Sequence, residues 1–73
     1  MRSYPFEVLA VYERSGEIQE AAFVEHVPAE NVDEAIVMFW AGSANMVERR
    51  KMPLSSAEIL TCHVVGGRYV SGT

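Results

Sequence analysis

Two neighbouring residues near the end of the chain, Cys62 and His63, have the side-chain types that nucleophilic catalysis requires. A cysteine becomes a nucleophile when a histidine within hydrogen-bonding distance takes up the thiol proton. Residues 59–65 have the composition of a β-strand, however, and successive side chains on a strand point to opposite faces of the sheet. The two side chains therefore cannot form a catalytic pair, and we expect Cys62 to be a small buried residue.

Metal and phosphate chemistry find little support in the other residues. His26 could approach His63 if the second and third strands are neighbours, but two histidines without further ligands at metal-binding spacing make a weak site. Gly66 and Gly67 lack the lysine and the following helix of a phosphate-binding loop. We therefore expect no catalytic residue, no metal and no cofactor, and nothing in the residues supports an enzyme or an enzyme subunit.

Acidic residues outnumber basic ones by ten to six, which gives a net charge of −4. None of them lies in an evident apolar pocket that would raise its pKa for acid–base catalysis. Several carboxylates and two apolar residues instead predict an acidic hairpin face, made of Glu7, Leu9, Val11, Glu13, Glu17, Glu20 and Glu25. Such a face suits a protein partner with a basic surface, because complementary charge sets association rate and specificity.

Basic residues cluster once, at Arg49, Arg50 and Lys51, directly after a predicted helix. Closing the negative end of the helix dipole is a sufficient role for them. Together with Arg68 they support the alternative function, a small nucleic-acid-binding regulator. Nucleic acid is the less favoured partner because the chain is acidic and the cluster lacks neighbouring aromatic residues on which bases could stack.

Length and composition indicate one globular domain over residues 1–73. The chain is 49% hydrophobic and 22% charged, which argues against disorder. A core of this size supplies only about 3 to 5 kcal/mol of stability, and we expect a weak homodimer. A single cysteine, the lack of an apolar signal core and the lack of a membrane-spanning apolar run favour a cytoplasmic protein that does not bind membranes.

The first half of the chain predicts two β-strands, at residues 6–13 and 18–27. Ser15 and Gly16 between them suit a tight hairpin turn, since glycine readily takes a positive φ. A two-residue turn would place Phe23 on the helix side of the sheet, whereas a three-residue turn would place Val24 there. The sequence leaves this register open.

The middle of the chain predicts one helix over residues 32–48. Pro28 should end the preceding strand because it has no N–H group for a ladder, and Asn31 with Glu34 resembles an N-terminal capping box. Gly42 costs about 1 kcal/mol relative to alanine in a helix interior, so a break at this residue is the alternative to one continuous helix.

Seven apolar residues in a row, Ala35 to Ala41, lie within the predicted helix. With Ile36 at the centre of the buried stripe, Trp40 falls on the core side. The stripe leaves three surplus apolar residues as the expected oligomer contact: Val37, Met38 and Ala41.

The last quarter of the chain predicts a third strand at residues 59–65 and a short fourth strand at 68–70 after a glycine turn. Residues 55–58 can also be interpreted as the capping box of a short helix. The strand is the preferred interpretation, and the fold class is then α+β. We expect an antiparallel sheet of three or four strands with one helix packed on one face, in the order ββαβ(β).

In its length, its acidity and its hairpin–helix–strand order from Phe6 to Val70, the chain resembles the small inhibitors that phages and mobile elements encode against host machinery, anti-CRISPR proteins among them. Those inhibitors share no motif, so the resemblance assigns no functional residue. It implies an inhibitor whose acidic hairpin face occupies a basic groove of a host defence or nucleic-acid-processing complex. The sequence thus predicts a non-enzymatic protein-binding module.

Overall fold

The computed structural model describes residues 2–65 and, for their backbone, residues 70–71. It confirms the α+β class, with an antiparallel sheet whose buried face is packed against helices. Along the chain the elements are β1 Arg2–Arg14, β2 Glu17–Ala29, α1 Val32–Ala41, α2 Ser43–Arg49, β3 Glu58–Val64 and β4 Val70–Ser71. The strand order in the sheet is β2-β1-β3-β4.

The β1–β2 hairpin turns on Ser15 and Gly16, as predicted, and the register that the sequence left open is that of a two-residue turn. Both turn residues have a positive φ, 55° and 81°, which matches the right-handed twist of the flanking strands. Arg14 therefore pairs with Glu17, and Phe23 lies opposite Val8 on the helix side of the sheet. Both strands are longer than predicted.

The prediction that Pro28 ends the second strand is wrong. The strand β2 continues to Ala29, and Pro28 pairs with Ser3. The reason is that β2 is an edge strand. In an antiparallel hairpin, hydrogen-bonded pairs of residues alternate with pairs that are not hydrogen-bonded to each other. Arg14 and Glu17, beside the turn, are a hydrogen-bonded pair, so Ser3 and Pro28, eleven pairs further along, are not. The N–H group that proline lacks would have pointed away from the sheet, where β1 does not need it.

The predicted single helix is wrong in detail, because Gly42 separates α1 from α2. Glycine has a high conformational entropy to lose in a helix, and here it adopts φ −98° and ψ 7°. The backbone ladder nevertheless continues across it, since the Gly42 N–H group donates to Met38 and its carbonyl accepts from Met46, both at 3.0 Å. The N-terminal cap is confirmed: the Asn31 side chain accepts a hydrogen bond from the Glu34 N–H group at 2.9 Å.

The helical layer is fixed to the sheet by aromatic stacking. The Phe39 ring lies parallel to that of Phe6 on β1, with 4.7 Å between their centroids. Ala35 and Phe39 are buried while Ile36 is only partly buried, so the buried stripe is rotated from its predicted centre. Trp40 consequently lies at the edge of the core, 38% exposed and edge-on to Phe39, and the prediction that it belongs to the core side is wrong.

Beside the hairpin, β3 confirms the third strand, and residues 54–56 form a turn in place of the alternative short helix. Just before β3, the Ser56 hydroxyl accepts a hydrogen bond from the Glu13 N–H group at 3.1 Å and donates one to the Glu13 carbonyl at 3.2 Å. A bulge at Leu60 interrupts the pairing of β1 with β3. The predicted fourth strand at 68–70 overlaps β4 at Val70; its remainder and the glycine turn lie outside the described residues.

Candidate functional site

One face of the three long strands is left uncovered by the described helices, and we call it the open face. The two-residue turn sets its composition, because odd-numbered residues of β1 and even-numbered residues of β2 then share it. Its apolar residues are Leu9, Val11, Ile18, Ala22 and Val24. Ile18 is 71% exposed and Val24 is 43% exposed, so this face has a large exposed apolar side chain at each end of its β2 segment.

A shallow groove of about 490 Å³ lies in the centre of the open face. Leu9 of β1, Ala22 and Val24 of β2 and Thr61 of β3 line it. Its lining is mainly apolar and its mouth is wide, so it can receive a protruding apolar side chain of another protein. An enclosed small-molecule cavity is a poorer description of this shape.

Three carboxylates surround Val11 at one end of the open face, and we call them the acidic rim: Glu13, Glu20 and Glu58. Val11 pairs with Glu20 on β2 and with Glu58 on β3, and Glu13 follows two residues later on the same side of β1. All three side chains are exposed. No arginine or lysine among the described residues pairs with them, so their negative charge is directed at solvent.

At the other end of the groove, Glu7 contacts His63 of β3, with 2.8 Å between Oε1 and Nε2. Cys62 points to the opposite face and is fully buried, as the sequence predicted, and burial raises the pKa of its thiol. Cys62 and His63 therefore lie on opposite faces of the sheet and form no catalytic pair. The histidines also do not meet, because β1 lies between the strands that carry His26 and His63.

Two members of the predicted acidic hairpin face, Glu17 and Glu25, are on the wrong side of the sheet for it. Their odd positions on β2 place them on the helix side. Glu25 accepts hydrogen bonds from Arg49 at 2.6 Å and from Arg50 at 3.1 Å. Burial raises the pKa of Glu25, but the bonds and charges of the two arginines outweigh it and hold the pKa below its usual value. Glu25 therefore serves the fold and is not part of the open face.

The basic cluster after α2 is largely occupied by the same contacts. Besides Glu25, the Arg50 guanidinium donates to the carbonyl oxygen of Val24 at 3.0 Å and lies over the Phe23 ring at 3.9 Å. The carbonyl of Lys51 accepts a hydrogen bond from Arg14. Arg68 lies outside the described residues. Arg49 and Arg50 thus have a structural role, which weakens the nucleic-acid alternative.

On the helical layer, Val37, Met38 and Ala41 are exposed on the outer side of α1. Val37 is 67% exposed and Met38 is 49% exposed. They form a small apolar patch on the helical layer, where Met38 also lines a groove beside the end of β2 with His26 and Pro28. The structure therefore presents the predicted oligomer contact and the predicted partner surface as separate surfaces.

The sequence prediction found Glu7, Leu9, Val11, Glu13 and Glu20 of the open face. It missed Ile18, Ala22 and Val24 because their side depends on the turn length, and it missed Glu58 because the register of β3 depends on a bulge. In residues 2–65, no three histidine, cysteine or acidic side chains are grouped to bind a metal ion. Within the described part of the chain, no helix has the length and apolar character to cross a membrane.

Comparison with known proteins found no matching family model, no matching curated protein and no matching solved structure.

Proposed function

We propose that this protein is a non-enzymatic protein-binding module that docks through the open face onto a partner with a basic surface. The observation that supports this function is the row of apolar residues on the open face, bordered by the unpaired carboxylates of the acidic rim. We call this row the apolar strip; it consists of Leu9, Val11, Ile18, Ala22 and Val24. Leu9 and Val24 offer apolar area, and Glu20 lies opposite the neighbouring Val11 with no described cation to neutralise it. Burial of the strip would supply affinity, at about 25 cal/mol per Å² of apolar area before the costs of association.

The acidic rim would select the partner. A lysine or arginine that approaches Val11 from above the sheet meets carboxylates from three strands, whereas an acidic partner meets like charges. The preferred partner surface therefore carries an apolar side chain for the groove and basic residues about 7 Å from it, because Val11 lies two residues along β1 from Leu9. Surfaces that bind nucleic-acid backbones are basic in this way.

The inhibitor function implied by the resemblance is a proposal of the same kind. An acidic face that occupies a basic groove excludes the nucleic acid that the groove would otherwise bind. Its specific prediction is competition, in which a nucleic acid and this protein cannot bind the partner together.

The experiment uses a displayed library of random peptides selected on the immobilised protein, followed by affinity measurements with the selected peptides. The rim variant carries E13K, E20K and E58K. Its matched control carries E17K, E30K and E48K, which lie off the open face. Each triple reversal adds six charges and changes the net charge from −4 to +2, so the two variants differ in the position of the charge and not in its amount.

We expect the selected peptides to combine basic and apolar residues, and to lose at least tenfold in affinity for the rim variant while retaining affinity for the control. Leu9→Arg should have the same effect as the rim variant, because it blocks the groove. Equal loss in both triple variants would mean that net charge alone explains binding, and retention in both would exclude the open face as the docking surface.

A further inference from the structure

The free edge of β2 has a hydrogen-bonding pattern that follows from the hairpin turn. Arg14 and Glu17 form the bonded pair beside the two-residue turn, and bonded and non-bonded pairs alternate from there. Odd-numbered residues of β2 therefore direct their N–H and C=O groups at β1. Even-numbered residues direct theirs outward, where no described strand pairs with them.

In the half of this edge away from the turn, two features hinder pairing with another strand. Pro28 is an even-numbered residue and has no N–H group to offer. The outward carbonyl of Val24 accepts the hydrogen bond from Arg50, whose guanidinium is in turn held by Glu25 and Phe23. Proline and positioned cations are common devices that prevent another strand from pairing with an edge.

The half of the edge nearest the turn has neither device. Ile18, Glu20 and Ala22 present three N–H and three C=O groups outward, and no described residue bonds to them. Their side chains lie on the open face, where they belong to the apolar strip and the acidic rim. Backbone groups and side chains suited to a partner thus coincide on the same three residues.

We propose that β2 from Ile18 to Ala22 is a strand-addition site for an extended segment of a partner protein that carries a basic residue with an apolar residue two positions away on each side. This inference rests on the proposed function and specifies how the partner binds. An added strand gains main-chain hydrogen bonds, and its alternate side chains extend the open face. A basic residue of the partner would lie opposite Glu20, since opposite charges stabilise a cross-strand pair.

A second copy of the chain fits this site less well. Two-fold antiparallel pairing centred on Glu20 places the two Glu20 carboxylates directly opposite each other, and pairing centred on Gln19 or Ala21 makes them diagonal neighbours on the same face, so like charges meet in all three registers. Centring the pair on Ala22 brings Glu20 opposite Val24, whose carbonyl Arg50 already occupies. The edge therefore favours a different, basic chain over self-pairing.

The test compares Glu20→Pro with Glu20→Thr. Both remove the carboxylate, but only proline removes the outward N–H group, and Pro28 shows that β2 accepts proline at this parity. The probe is a capped seven-residue peptide with lysine at its centre, valine two positions away on each side and threonine at the remaining positions, titrated at millimolar concentration and followed by two-dimensional NMR. Circular dichroism of both variants verifies that the sheet is retained.

We expect the peptide to bind the proline variant at least tenfold more weakly than the threonine variant. In the unmodified protein, the amides of Glu20 and Ala22 should gain protection from hydrogen exchange when the peptide binds, which needs no variant. Equal affinities together with unprotected amides would overturn strand addition. If the rim variant still loses binding in that case, the proposed function stands; if the rim variant binds the peptide equally well, both proposals fail.

Discussion

Replacing Glu25 with glutamine tests whether the contact between β2 and the end of α2 stabilises the fold. Glutamine keeps the shape of the side chain and removes the charge that Arg49 and Arg50 bind. The bond to Arg50 is partly buried, at 34% exposure of the arginine and 13% of the carboxylate, and contributes about 1.5 kcal/mol. The bond to the more exposed Arg49 adds about 0.5 kcal/mol after solvent screening.

The expected loss is therefore about 2 kcal/mol, a large fraction of the stability of a domain of this size. It corresponds to a decrease of about 10 °C in Tm. Urea unfolding followed by Trp40 fluorescence measures it without adding salt that would screen the ion pairs. Glu20→Gln is the matched control, since it makes the same chemical change at an exposed, unpaired position of the same strand and should cost less than about 0.5 kcal/mol.

The pH dependence gives an independent check. Because the pKa of Glu25 is lowered in the folded protein, its contribution to stability is complete above the unfolded-state pKa and is lost as pH falls through the folded-state pKa. The stability difference between the unmodified protein and Glu25→Gln should be constant near neutral pH and vanish in acid, where a protonated Glu25 resembles glutamine. Equal stabilities of the Glu25 and Glu20 variants at about pH 7 would refute the reasoning.

Three further changes have expected outcomes. Gly42→Ala should raise the free energy of unfolding by about 1 kcal/mol, because Gly42 has a negative φ that alanine can adopt. An added Cβ would lie 3.4 Å from the Met38 carbonyl oxygen, which is a contact distance. If the break between α1 and α2 requires glycine, thermal unfolding will instead show a lower Tm. Ser15→Asn should add about 0.5 kcal/mol in the same assay, since asparagine adopts a positive φ before glycine more readily than serine. For the weak homodimer, sedimentation equilibrium at tens of micromolar should give a mass above 8.1 kDa that V37K/M38K reduces to that of one chain; a single-chain mass without the substitutions contradicts the dimer.

Local signals predicted most of the fold. Strand-forming residues on both sides of Ser15 and Gly16 specified the hairpin, and the Asn31 cap specified where α1 begins. Features that depend on residues distant in the sequence could not be predicted from local segments. Pro28 looked like a strand end because a proline is harmless only on an edge, and the strand order that creates the edge is not written in any local segment.

The composition of the open face depends on a single local choice, the number of residues in the hairpin turn. One more turn residue would move every side chain of β2 to the other side, which would place Glu25 on the open face and Glu20 towards the helices. Arg49 and Arg50 would then lack their carboxylate, and Glu20 would lie far from the end of α2. The two-residue turn and the arginine pair therefore require the same register, and agreement between a local turn and a distant ion pair supports assigning Glu13 and Glu20, but not Glu25, to the partner surface.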